Sequence, residues 1–100
     1  MTIETNKDGS KLTVGIGGRL DTTTAPELEQ ALKGALDDIT ELVLDLKDLE
    51  YVSSAGLRVM LAAQKTMNKQ GTMTIVNVGH DIMEIFEVTG FVDILTIEES

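Results

Sequence analysis

The chain has 100 residues, no cysteine, three aromatic residues and a formal charge of −9, from 8 Lys and Arg against 17 Asp and Glu. That length holds a single domain, and 42% hydrophobic residues are enough for a core that needs no disulfide or thiolate-zinc staple. The acidic balance and the absence of Trp argue against a nucleic-acid or anionic-membrane surface, both of which call for clustered Lys and Arg.

In chain order, Thr2 to Thr5 and Lys11 to Ile16 alternate in polarity around the turn-forming cluster Asn6-Lys7-Asp8-Gly9-Ser10, which predicts a β-hairpin. Gly15-Ile16-Gly17-Gly18 lacks the glycine spacing and the following helix of a dinucleotide fingerprint, and reads as a bend or bulge in a strand. Thr24-Ala25-Pro26-Glu27 matches a capping box, with Pro in the first turn. Behind it, Leu28, Ala31, Leu32, Ala35, Leu36 and Ile39 form one apolar stripe, so the helix is expected to run past Gly34 to Ile39.

Glu41 to Leu46 has the near-continuous apolar pattern of a strand covered on both faces. Residues 54 to 69 are predicted to be a second helix and Thr72 to Val78 another buried strand. Asp81 to Val88 forms a short helix with capping-box spacing at Asp81 and Glu84 and a C-cap at Gly90, and Asp93 to Ile97 is a last strand. The order β-β-α-β-α-β-α-β implies one α/β domain over residues 1–100, a mixed sheet with helices packed on it. The longest apolar runs are far shorter than the roughly 20 residues of a membrane span, and Met1-Thr2-Ile3-Glu4 shows no signal-like stretch. The expectation is a soluble, cytoplasmic protein without direct membrane insertion.

The stretch Tyr51-Val52-Ser53-Ser54-Ala55-Gly56-Leu57-Arg58 carries the most chemical information, because two serines fall where a helix begins. Unpaired N–H groups and a partial positive charge at that point can accommodate a phosphate on serine. The plain alternative is that Ser53 or Ser54 is an N-cap. On a helical wheel Leu57, Met60, Leu61, Ala63 and Met67 share one face, and Arg58, Ala62, Lys65 and Lys69 lie along another, near Ser54. Residues 54–69 contain three cations and no acid, whereas 1–53 and 70–100 each carry −6. This helix face is either a solvated surface or a docking surface. Asp21 and Asp45 are single carboxylates without an acid-base partner, and the lone His80 makes neither a triad with Ser54 nor a transition-metal site plausible. No catalytic residue, metal or cofactor is expected.

Taken in order, Gly18-Arg19-Leu20-Asp21, Leu42-Val43-Leu44-Asp45-Leu46, the Tyr51-to-Leu61 segment and Ile85-Phe86-Glu87-Val88-Thr89-Gly90 resemble the STAS domain family over essentially the whole chain. Within it they resemble the stand-alone bacterial anti-sigma factor antagonists. The usual family loop reads Asp-Ser-Ser/Ala-Gly-Leu, so the resemblance implies a phosphoacceptor at Ser54, with Ser53 standing where the family has Asp and offering a second acceptor. Family members usually carry a further helix beyond the position of Ser100.

The implied partners are an anti-sigma factor of the serine-kinase type, bound by the unmodified protein to release a sigma factor, and a PP2C-type phosphatase. The implied contact residues are Asp21, Ser53, Ser54, Ala55, Gly56, Arg58, Ala62 and Lys65. The alternative is a constitutive or transporter-associated STAS module in which Ser54 is only a cap.

Overall fold

The computed structural model describes residues 1–98; Glu99 and Ser100, and with them the chain end, lie outside the described residues. Strands β1 (Thr2–Asp8) and β2 (Lys11–Leu20) form the antiparallel hairpin, longer than the alternation predicts, and turn at Gly9 with φ +62°. β3 (Glu41–Asp45) pairs parallel with the first half of β2, and β5 (Thr72–Val76) pairs parallel with β3, giving the sheet order β1-β2-β3-β5. A further strand, β4 (Leu49–Val52), pairs parallel with the second half of β2.

The changeover from β3 to β4 along β2 coincides with a register shift between Gly18 and Arg19, where Gly18 has φ +84°. The glycine-rich run is therefore a bulge, and it lets one strand serve two partners.

Among the described residues three helices complete the unit: α1 (Ala25–Leu32), α2 (Ser54–Asn68) and α3 (His80–Thr89). One face of the sheet is the core face. Leu12, Val14 and Ile16 of β2, Leu42 and Leu44 of β3, and Met73 and Ile75 of β5 form a single buried cluster with Leu28 of α1, Met60 and Met67 of α2, and Phe86 of α3. On the other face Thr13, Val43, Asp45, Thr74 and Val76 are only half-buried. The cover on both faces expected for the Glu41–Leu46 strand is therefore not found in β3, and β5, expected as a buried strand to Val78, is half-buried on this face and ends at Val76. The mixed α/β class stands.

Four local expectations are corrected. First, α1 ends at Leu32, because Gly34 takes φ +79° and the chain continues in three-residue turns. Those turns still bury Leu36 and Ile39, which is why the stripe ran on in the sequence. Gln70 reaches back to donate to the Leu36 and Ile39 carbonyls at 2.6 and 2.7 Å, pairing oxygens that a continuing helix would have used.

Second, the expected Thr24–Glu27 capping box is displaced three residues upstream, to Asp21 and Thr24. Third, α3 starts at His80 with Gly79 as its N-cap and no side-chain cap bond, so Asp81 and Glu84 do not form a box, although Gly90 is the left-handed C-cap. Fourth, the last strand is replaced by a 3₁₀ turn (Phe91–Asp93) and a lone bridge between Ile97 and Ile75. With β4 added, the element order is β-β-α-β-β-α-β-α.

Candidate functional site

Leu20 pairs with Val52 at the ends of two adjacent parallel strands, so the residues that follow them emerge side by side. Asp21 leaves β2 toward α1, and Ser53 and Ser54 leave β4 into α2. The Ser53 N–H donates to the Leu20 carbonyl at 2.8 Å and locks the two exits together. Loops beyond the carboxyl ends of parallel strands are where α/β folds place ligands and partners.

Asp21 is tightly held. Its Oδ1 accepts from the Thr23 and Thr24 N–H groups at 3.0 and 3.1 Å, and the Thr24 Oγ1 accepts from the Asp21 N–H at 2.8 Å. This is a reciprocal cap, in which acid and hydroxyl each satisfy an amide of the other's backbone. The same hydroxyl donates to the Arg19 carbonyl at 2.7 Å. The Thr24 N–H above all holds the Asp21 carboxyl below the usual carboxylate range; desolvation, next in size, opposes it, and the Thr23 N–H, the Thr24 hydroxyl and the Arg19 guanidinium add to the lowering. Arg19 lies over the Tyr51 ring at 4.4 Å, with its Nε 3.9 Å from Asp21 Oδ2.

Ser53 and Ser54 have different surroundings. Ser53 is half-buried and is the N-cap of α2, its Oγ accepting from the Gly56 N–H at 3.4 Å. Ser54 is the first helical residue and is exposed, and among the described residues no hydrogen bond holds its hydroxyl. Of the two serines left open by the sequence, Ser53 is the cap. Gly56 is buried, and a Cβ there would come within 2.6 Å of Leu20 Cγ and 2.9 Å of Val52 Cγ2, so the glycine lets the start of α2 lie directly on the two strands. A partner could meet Gly56 only through the shape it gives the turn.

Beyond the turn, Ala55 is half-buried, Arg58 and Lys65 are exposed on the outer side of α2, and Ala62 is exposed on the side that faces the groove toward α1. Thr22, Ala25, Pro26, Ala55 and Arg58 line a shallow depression of about 240 Å³ between the starts of α1 and α2. Asp21, Ser53, Ser54, Ala55, Gly56 and Arg58 therefore share one end of the molecule. Ala62 and Lys65 lie further along α2, roughly 12 and 16 Å from Ser54 at 1.5 Å per residue.

Gln64, a polar residue in the middle of α2 that no motif or periodicity marks, is buried. It donates to Asn68 Oδ1 at 2.9 Å and accepts from the Thr96 N–H at 3.4 Å, fastening the C-terminal segment to α2. His80, Asp81 and Glu84 come together at the start of α3 but are all exposed. Among the described residues no helix is long and apolar enough to cross a membrane.

The family model for the STAS domain matches residues 2–100. An anti-sigma-B factor antagonist of Staphylococcus aureus (strain NCTC 8325 / PS 47) is 32% identical over 101 residues, which is 99% of this chain and 94% of that one. One of Bacillus subtilis (strain 168) is 29% identical, over 97% of this chain and 90% of that one. Among solved structures, an anti-sigma factor antagonist from Mycobacterium paratuberculosis superposes with a TM-score of 0.88 at 26% identity, over 99% of this chain and 86% of that one. Strand order, helix placement and the Ser53–Leu57 turn thus meet in one assignment: this chain belongs to the STAS domain family.

Proposed function

We propose that the protein is a non-enzymatic, cytoplasmic anti-sigma factor antagonist whose unmodified form binds a serine-kinase-type anti-sigma factor and releases a sigma factor. Phosphorylation of Ser54 by that kinase turns binding off, and a PP2C-type phosphatase restores it. The observation that carries this reading is the exposed, unengaged Ser54 hydroxyl in the first turn of α2, beside the ordered Asp21 carboxylate. The names of the curated relatives support the partner class.

Phosphoserine brings about −1.5 to −2 charges. At the α2 N-terminus that charge meets unpaired N–H groups and Arg58 one turn on, so the fold accommodates it. A partner surface complementary to a neutral serine and one carboxylate does not. Losing about 1.4 kcal/mol of binding already lowers affinity tenfold, so no rearrangement of the domain is needed.

Incubation with the kinase and ATP should place one phosphate on Ser54, located by peptide mass spectrometry and absent in Ser54→Ala. Ser54→Asp should weaken the complex at least tenfold by calorimetry. Phosphate elsewhere, or full binding by Ser54→Asp, overturns the switch. Ser53 in place of the family's Asp favours a second reading, a constitutive or transporter-associated module. In that case the kinase leaves Ser54 unmodified and Ser54→Asp binds its partner as the wild type does.

A further inference from the structure

The depression beside Ser54 is one end of a longer trough. Glu29 and Val59 belong both to it and to a groove of about 320 Å³ that runs on between α1 and α2, floored by Leu32, Leu36, Val59, Ala62 and Ala63. From Ala55 to Thr66 it follows α2 for about 16 Å, the length of a helix of roughly three turns. Its floor is apolar and touches water. Leu32, Leu36 and Val59 retain 7–8% exposure, whereas Leu28 and Met60 retain none.

Ser54, Arg58, Lys65 and Lys69 lie at spacings of 4, 7 and 4 residues, which places them on one stripe along the outer bank of the trough. Lys33 lines the α1 side together with Glu29, the one carboxylate among the lining residues, so the cations outnumber acid along the trough by four to one. None of these four cations forms an ion pair among the described residues, where the recorded pairs are Lys11–Glu41 and Arg19–Asp21. In a chain of net charge −9, these cations beside an apolar floor form an exceptional surface.

We infer that this trough receives an amphipathic helix of the partner, apolar on the face that enters and carrying Asp or Glu along its flanks. Helices dock into grooves by anchoring apolar residues at i, i+3, i+4 and i+7, and flanking charge fixes their direction. The inference rests on the reading of Ser54 as the switch and extends it. Because Arg58 follows Ser54 by one helical turn, a phosphate on Ser54 supplies that cation with an intramolecular anion and takes it from the incoming acid. Phosphorylation then acts at the mouth of the trough as well as on the serine itself.

Affinity of the full chain for the serine-kinase-type anti-sigma factor of the same genome tests this. Ala62→Gln, which adds uncharged bulk at the floor, and Lys65→Glu, which reverses a bank cation, should each weaken binding at least tenfold with unchanged thermal unfolding. Wild-type binding by both, with loss in Ser54→Asp, overturns the trough and leaves the switch standing; loss in both with full binding by Ser54→Asp upholds the trough and removes the switch.

The chain has no cysteine, so Ala62→Cys supplies a single thiol for cross-linking. A cross-link to an acidic, helical segment of the partner supports the proposal, and one to a basic segment or a loop overturns it. Sedimentation that shows self-association of the free wild type, lost in Ala62→Gln, assigns the trough to a second copy and also overturns it.

Discussion

The starts of α1 and α2 lie next to each other at the ends of β2 and β4, yet they are capped in opposite ways. At α1 both side chains of the cap are consumed: Asp21 accepts two backbone N–H groups and Thr24 closes the ring back onto Asp21 and Arg19. At α2 one long bond from the Gly56 N–H to Ser53 is the whole side-chain cap among the described residues, where no hydrogen bond engages the next hydroxyl. An oxygen already paired to backbone amides cannot be modified without opening the turn, whereas a free one in the first turn can be. The first arrangement gives a fixed negative landmark. The second gives a position that can change its charge while the backbone stays where it is.

The largest effect that tests this contrast lies beneath the turn. Gly56→Ala puts a methyl against Leu20 and Val52, and should destabilise by about 1–3 kcal/mol through overpacking. Urea denaturation measures this, and a stability equal to wild type would show that the turn of α2 is not seated as described. Next comes the cap of α1. Asp21→Ala should lower the urea midpoint more than Ser53→Ala does, since it removes an acceptor of two amides and a charge favoured at a helix start. Equal losses would erase the distinction between the two starts.

The same carboxylate sets a pH dependence. Its folded-state value lies below the ordinary 3.8, so its contribution is complete above that value and is lost as pH falls through the lower, folded one. Asp21→Asn should therefore flatten the acid limb of the stability profile below about pH 4 while leaving its shape at neutral pH.

Smaller still is Ser53→Ala, expected to cost about 0.5–1 kcal/mol because its hydrogen bond is long. The smallest effect has the opposite sign. Ser54→Asp should raise stability by roughly 0.3–1 kcal/mol at low salt, a gain that fades as ionic strength rises. A variant that folds better and binds worse separates interface repulsion from unfolding, and a lowered melting temperature would count against that separation.

The parts of this architecture that local residues determine were legible in the sequence. The apolar faces of α1 and α2, the hairpin and the helix beginning at Ser54 follow from periodicity and turn chemistry. β4 did not, since Leu49-Glu50-Tyr51-Val52 is four residues long and becomes a strand only because the bulge at Gly18 offers it the second half of β2. Leu36 and Ile39 continued the helical stripe although Gly34 had already broken the helix, because successive tight turns preserve nearly the same facing. Ile97 reads as part of a strand, yet among the described residues it makes a single bridge to Ile75.

At the site, residue types named the two serines but not their division of labour. Backbone conformation decides that: extended at Ser53, with φ −94° and ψ 175°, and helical from Ser54. Gln64 and Gln70 were invisible as structural residues because the groups they hold lie about thirty residues away.

The split pairing of β2 also bears on how quickly the site can come into being. β2 hydrogen-bonds to β1 through a tight local turn, and to β3 and β4 only after about thirty residues of chain have closed back on it. Loop closure of that length is the slow, entropically costly kind. A newly made chain can therefore hold its hairpin well before Asp21 and Ser54 become neighbours. Val52→Ala, where β2 meets β4, is expected to slow refolding measured by stopped-flow, even though the side chain is buried and does not reach the surface; an unchanged refolding rate with faster unfolding would place this contact after the barrier.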